Sequence, residues 1–283
     1  MDTKLDLSPS KLASWSHAAL ILSKKVQTGS KKANDELKYL LTEFKSIEGI
    51  YEHFFSMVPI DHDLATKLDS LYSKIKFEMD YLTINDPGYP NTLRDIKGVP
   101  PIIYFRGNSD ILKLSKSIAF VGTRELDNDL HRIQGVEAIK RLFNAGYKVI
   151  VSGLAKGSDT LGHRTALDLG GKTIAVLGTP LDKSYPSENK LLQEEIANSN
   201  LLVSEYPIGI LTQGSSFANR NLTTVSLSTH GVVVARASDK SGTQHAIKAC
   251  LEQNKPLYIL ENNIHEPEYT WVAKNKAILK LIK

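Results

Sequence analysis

The chain has 283 residues, 41% of them hydrophobic and 23% charged, with a formal net charge of +4, an ordinary balance for a globular protein. No apolar run approaches the roughly 20 residues that a helix needs to cross a bilayer, and Met1-Asp-Thr-Lys-Leu-Asp lacks the basic-then-apolar pattern of a secretory signal, so no membrane partner is expected. A single cysteine, Cys250, excludes an internal disulfide and a cysteine zinc cluster, and points to a reducing, cytoplasmic location.

Charge is unevenly placed. Residues 1–80 hold 11 Lys, no Arg and 12 acidic residues, for a net of −1, and all eight arginines follow residue 80. Arginine is the side chain best fitted to forked contact with phosphate oxygens. A polyanion would therefore meet the second part of the chain.

In chain order, residues 8–80 read as helical. Ser8-Pro9 supplies a cap and a first-turn proline, and Leu12, Trp15, Ala19, Leu22 and Val26 follow at helical spacing. Thr28-Gly29-Ser30 breaks that helix. A second is expected over 34–55, interrupted near Gly49, and a third over 64–75, with Trp15, Tyr39, Phe44 and Phe54 as core aromatics. Turn formers at Asp86-Pro-Gly-Tyr-Pro90 and an extended Val99-Pro-Pro101 lead to a strand at 102–105, read as a connector that adds an edge strand.

From Ile118 the alternation is regular. Strands are expected at 118–121, 149–152, 173–177, 201–204, 231–235 and 257–260, and helices at 126–144, 158–169, 187–197, 219–228 and 241–253. Short β-rich runs separated by helix-length segments imply βαβ crossovers. The expected fold is α/β, an extended Rossmann-like, doubly wound, mostly parallel sheet preceded by a small all-helical domain. The domains are expected at 1–80 (helical), 81–263 (Rossmann-like) and 264–283 (a short basic tail).

Two glycine turns follow strands in tandem. Gly122-Thr123-Arg124 joins a permissive turn to a hydroxyl and a guanidinium. Ser152-Gly-Leu-Ala-Lys-Gly-Ser-Asp159 brackets Lys156 with Gly153 and Gly157, and Ser158 can cap the helix carrying Asp159. The carboxyl edge of an open α/β sheet gathers helix N-termini and free amides, where anions dock. Asp159 and His163, four apart on one helical face, could form an acid–base or metal pair, but two ligands make a poor metal site and no metal is expected. Glu205, after the fourth regular strand, is either a structural counter-ion to Arg124 and Lys156 or an acid–base group. Phe217, Arg220 and Asn221 open the next helix, and Ser241-Gly242-Thr243 opens the last. Gly-x-Gly-x-x-Gly, the P-loop and Gly-x-Ser-x-Gly are absent, which argues against a dehydrogenase, a P-loop nucleotidase and a serine hydrolase.

Together these segments resemble the DNA-processing protein A family (DprA, also called Smf). The matching residues are Tyr89-Pro90, Pro100-Pro101, Gly107, Val-Gly-Thr-Arg at 121–124, the 152–159 loop with His163, Gly-Gly-Lys-Thr-Ile-Ala-Val-Leu at 170–177, Tyr185-Pro186, Ser204-Glu-Tyr-Pro207, Phe217, Arg220-Asn221 and Ser241-Gly242. The resemblance covers about residues 81–260. It implies an extended Rossmann-like protein that binds single-stranded DNA as a homodimer and hands it to the RecA recombinase, without an enzymatic step or a cofactor. It implies phosphate contacts at Arg124, Lys156 and Arg220, and a base-stacking candidate in Phe217. Three departures stand out. The family's Arg-Asn-Arg-Ile is Arg220-Asn221-Leu222-Thr223, the acidic residue ending the fifth strand is Arg236, and the chain stops at Lys283, where many members continue into a winged helix. Two other functions stay open. One is a nucleotide or ADP-ribose-type ligand site related to the LOG phosphoribohydrolases, with Glu205 catalytic. The other is a regulatory role in phage defence with a toxin or similar partner.

Overall fold

The computed structural model describes residues 6–126, 128–212 and 214–282. Their backbone is organised around a nine-stranded sheet of order β1-β2-β6-β5-β4-β3-β7-β8-β9. The strands are β1 (Asp80–Thr83), β2 (Ile102–Gly107), β3 (Ser117–Val121), β4 (Val149–Ser152), β5 (Lys172–Leu177), β6 (Leu201–Ser204), β7 (Val232–Val234), β8 (Leu257–Leu260) and β9 (Leu279–Ile282). Pairing from β6 through β9 is parallel throughout, whereas β2 runs antiparallel to both β1 and β6. Crossovers run outward from β3 in both directions, so the topological switch point lies between β3 and β7.

The apolar runs form strands because both sides of the central sheet are covered. In β3, Ile118 and Phe120 pack with Ala138, Ile139 and Leu142 of α6 (Asp129–Asn144) and Ala166 of α7 (Ser158–Asp168). The alternate residues Ala119 and Val121 pack with Val225 of α9 (Gly214–Leu227) and Ala246 and Ile247 of α10 (Gln244–Glu252). The intervening α8 (Lys190–Ser199) sets Leu192 and Ile196 against β5 and β6.

The N-terminal segment forms α1 (Pro9–Leu22), α2 (Lys31–Phe44), α3 (Ile47–Phe55) and α4 (His62–Tyr72), and the short α5 (Asn91–Arg94) lies between β1 and β2. The break inside the expected 34–55 helix falls at Lys45, whose φ is +70°, and not at Gly49; Ser46 then caps α3 by accepting from the Gly49 N–H at 3.0 Å. Ala18, Leu20, Leu37, Leu41, Ile50 and Leu68 join Tyr104, Ala175, Leu177 and Leu202 of the sheet in one continuous core. A polar network crosses the same boundary. Ser14 Oγ and Tyr72 Oη lie 2.7 Å apart, Tyr72 donates to the Ile208 carbonyl at 3.0 Å, and the Ile208 N–H donates to Ser14 Oγ at 3.2 Å. Nearby, buried His17 Nδ1 is hydrogen-bonded to Tyr104 Oη at 2.9 Å. Trp15 donates to Asp69 at 2.9 Å, but Tyr39, expected in the core, is 66% exposed.

Two strands were not expected. β1 forms the sheet edge beyond β2, so the connector adds two strands, not one. Within the segment read as a basic tail, β9 pairs in parallel with β8, and the short helix α11 (Thr270–Lys274) buries Trp271 and Val272. Trp271 Nε1 donates to the Ala237 carbonyl at 2.7 Å, which fastens this segment to the sheet.

Candidate nucleic-acid interface

The first glycine turn is fixed between two strand ends. Thr123 N–H donates to the Arg236 carbonyl at 2.8 Å, and Ser158 N–H donates to the Thr123 carbonyl at 3.0 Å. The turn after β3 is thereby clamped to the end of β7 and to the start of α7. Gly157 has φ +71°, and a Cβ there would run into the Thr123 carbonyl, so the two loops can meet only at a glycine. The Thr123 hydroxyl accepts from the Glu125 N–H at 3.2 Å and closes the turn.

A cleft of about 540 Å³ opens at the switch point. Gly122, Thr123 and Arg124 line it from β3, Phe217, Arg220 and Asn221 from α9, and Lys240, Ser241 and Gly242 from the loop before α10. A neighbouring groove of about 410 Å³ is lined by Arg124, Arg132, Lys156, Gly157 and Arg164. Arg124 belongs to both, so the two adjoin at its side chain.

The expected cations occupy different environments. Arg124 is exposed, with its guanidinium 5.9 Å from the Phe217 ring centroid. Lys156 is exposed and ion-paired with Glu188. Arg220 is 3% exposed. Its helix begins at Gly214, five residues before the expected start, so Arg220 lies in the second turn and turns inward rather than standing at the helix N-terminus. There its Nη1 lies 3.8 Å from Asp159 Oδ2, and its Nε has no hydrogen-bond partner among the described residues. Arg220 is thus a buried cation at the cleft floor and not an open surface contact.

Ser152 and Gly153 lie beneath the cleft. Ser152 Oγ donates to the Phe120 carbonyl at 2.6 Å, and a Cβ on Gly153 would fall inside the Arg220 guanidinium. Gly153 thereby seats Arg220. Asn221 donates to the Gly242 carbonyl at 3.3 Å, and Ser241 Oγ donates to Thr243 Oγ1 at 3.0 Å while accepting from the Thr243 N–H at 3.2 Å. These contacts brace the loop that presents Lys240. Lys240 was missed in the sequence. It is exposed, lines the cleft and has no carboxylate partner among the described residues; its adjacency to Ser241-Gly242-Thr243 was the available signal.

The carboxylates and histidine near Arg220 are buried. Desolvation raises the Asp159 pKa, with Arg220 and the Ala155 N–H at 3.3 Å opposing it. Burial likewise pushes Glu205 up to about 7, against the pull of the Thr223 hydroxyl, which donates to it at 2.5 Å, and of Arg220. Glu205 lines a pocket of about 130 Å³ and not the switch-point cleft. Arg220 and Glu205 influence each other electrostatically, each favouring the charged form of the other. His163 does not join Asp159 as a pair; its Nδ1 lies 2.6 Å from Thr173 Oγ1, and burial lowers its pKa to about 3.

The departures at 222 and 236 have structural uses. Leu222 packs against the core, and Thr223 holds Glu205. Arg236 reaches His131 Nε2 and Asn263 Oδ1, both at 2.9 Å, and Glu266 at 2.8 Å, tying α6 to the segment after β8.

A doubly wound sheet with a glycine-turn cleft at its switch point gives the molecule a Rossmann-like architecture. Residues 80–279 match the family model described as DNA recombination-mediator protein A. The chain is 37% identical over 198 residues to DNA processing protein DprA of Streptococcus pneumoniae, covering 69% of this chain and 68% of that protein. It is 38% identical over 187 residues to protein Smf of Synechocystis, covering 65% of this chain and 46% of that protein. The X-ray structure of the pneumococcal DprA superposes with a TM-score of 0.69 at 30% identity, covering 99% of this chain and 91% of that one. DNA processing protein A from Helicobacter pylori, solved for its single-stranded DNA binding mode, gives a TM-score of 0.63 at 29% identity, covering 73% of this chain and 92% of that one. The chain belongs to the DNA recombination-mediator protein A (DprA/Smf) family. The likeness to the pneumococcal structure takes in the N-terminal helices, which the sequence motifs do not reach.

Proposed function

We propose that this protein binds single-stranded DNA along the two concavities that adjoin at Arg124. The observation that carries the reading is Arg124 itself: exposed, without a carboxylate partner among the described residues, and shared by a cleft holding Lys240 and a groove holding Arg132, Lys156 and Arg164. A run of cations follows a sugar–phosphate backbone, while aromatic rings at its side accept unpaired bases. Its Helicobacter pylori relative, described by its single-stranded DNA binding mode, supports the same ligand class. Protection of the strand, its delivery to RecA and action as a homodimer extend this reading.

The test is titration with a single-stranded oligonucleotide, a duplex of the same sequence and mononucleotides, each at two salt concentrations. The single strand is expected to bind tightest, with a log–log salt slope near −0.7 for each phosphate neutralised. Mononucleotide binding that equals or exceeds oligonucleotide binding would favour a small-ligand site instead.

A further inference from the structure

Beside the cleft stands an aromatic ring whose exposure no packing role explains. Tyr185, in the loop after β5, is 52% exposed, yet its ring centroid lies 4.7 Å from that of Phe217 with the planes 40° apart. Phe217 is fixed from other directions. Its ring rests where a Cβ on Gly178 would collide with it, and the Arg124 guanidinium lies over it.

The loop carrying Tyr185 is anchored. Immediately beyond Pro186 is the 3₁₀ turn Ser187–Asn189, in which Glu188 meets Lys156. Asn189 is buried and donates to the Leu154 carbonyl at 2.9 Å and to Thr160 Oγ1 at 2.8 Å. The backbone beside the ring is therefore held in place before any ligand arrives, which lowers the ordering cost of binding. An exposed aromatic packed on a second ring that lies under Arg124, three residues before the Glu188 that meets Lys156, suits an unpaired base whose phosphates meet those cations. A duplex has no free base face to offer.

We propose that Tyr185 is the base-stacking platform of this interface, taking an unpaired nucleobase on its exposed face with Phe217 as its support. The proposal rests on the single-strand reading and deepens it, because it moves the stacking role from half-buried Phe217 to Tyr185 and makes that ring the element that distinguishes single strand from duplex.

The experiment compares an oligo-dT with an abasic oligomer of equal length, which keeps the phosphates and lacks the bases. Tyr185→Ala is expected to weaken oligo-dT binding about fivefold or more and to leave the abasic oligomer unchanged, while Tyr185→Phe keeps wild-type affinity for both. In Tyr185→Trp, oligo-dT is expected to quench the added indole emission and the abasic oligomer to leave it unquenched, which reads stacking directly even if the alanine variant folds poorly. Equal losses on both oligomers, or no loss on either, would overturn the platform while leaving single-strand binding intact. Failure of the wild-type protein to bind either oligomer would remove the single-strand reading and the platform with it.

Discussion

The Arg220 guanidinium lies directly over Gly153, in the volume that a side chain on that residue would fill. The loop after β4 thus has its glycine to admit a cation from α9, and the cation reaches Asp159. Gly153→Ala is expected to cost about 3 kcal/mol or more, since Arg220 must leave its seat and strand the buried Asp159. Urea denaturation of the variant checks this, and a change under 1 kcal/mol would contradict it.

Buried Glu205 sets a pH dependence of definite sign. Its native pKa is raised to about 7 from 4.5, so between those values the native state keeps a proton that the unfolded chain has lost. Its contribution to stability therefore falls as pH rises through that window. The buried imidazoles of His17 and His163 act oppositely. Each is lowered from 6.5 to about 3, so their stability is present above 6.5 and lost as pH falls. Glu205 is isolated by difference: Glu205→Gln should gain on the wild type by roughly 1–3 kcal/mol between pH 5 and pH 7 and then level off. Denaturation midpoints at pH 5, 6, 7 and 8 measure it, and a constant difference would refute the assignment.

Arg124 and Lys240 should each account for about one phosphate. Arg124→Ala and Lys240→Ala are each expected to weaken single-strand binding and to reduce the salt slope by about 0.7. Arg124→Glu should reduce binding further, through repulsion. Fluorescence anisotropy over a salt series gives the slopes; unaltered affinity and slope in both alanine variants would place the strand elsewhere.

Glu188 occupies Lys156, a role that a phosphate could take over. Glu188→Gln should therefore strengthen single-strand binding, by less than about fivefold because the ion pair is exposed. The gain should vanish in a Lys156→Ala background. A gain that persists without Lys156 would mean that Glu188 acts only through long-range repulsion.

The N-terminal helices share one hydrophobic core and the Ser14–Tyr72–Ile208 network with the sheet. Helices and sheet should consequently unfold in a single transition. Tyr72→Phe should lower its midpoint, at a cost of about 1–3 kcal/mol from the Ser14 hydroxyl and Ile208 carbonyl it leaves unpaired. Calorimetry resolving two well-separated transitions would instead support an autonomous helical domain at 1–80.

What the sequence determined by itself was local and periodic. The apolar runs at 118–121, 149–152 and 201–204 announced strands because a parallel sheet covered on both sides needs unbroken apolar character, and the glycine turns after the first two announced a ligand edge. Tertiary structure decided which charges remain open. Arg220 and Lys156 looked alike in the sequence, but distant carboxylates reach both: Arg220 is buried with Asp159, and Lys156 is paired with Glu188 in solvent. Lys240 drew no notice, yet it emerges exposed on the cleft. β9 was hidden for a related reason, since Leu279-Lys-Leu-Ile282 alternates too briefly to signal a strand until β8 supplies the backbone partners. Periodicity records the faces an element buries, whereas a charge's partner depends on which remote loop folding brings beside it.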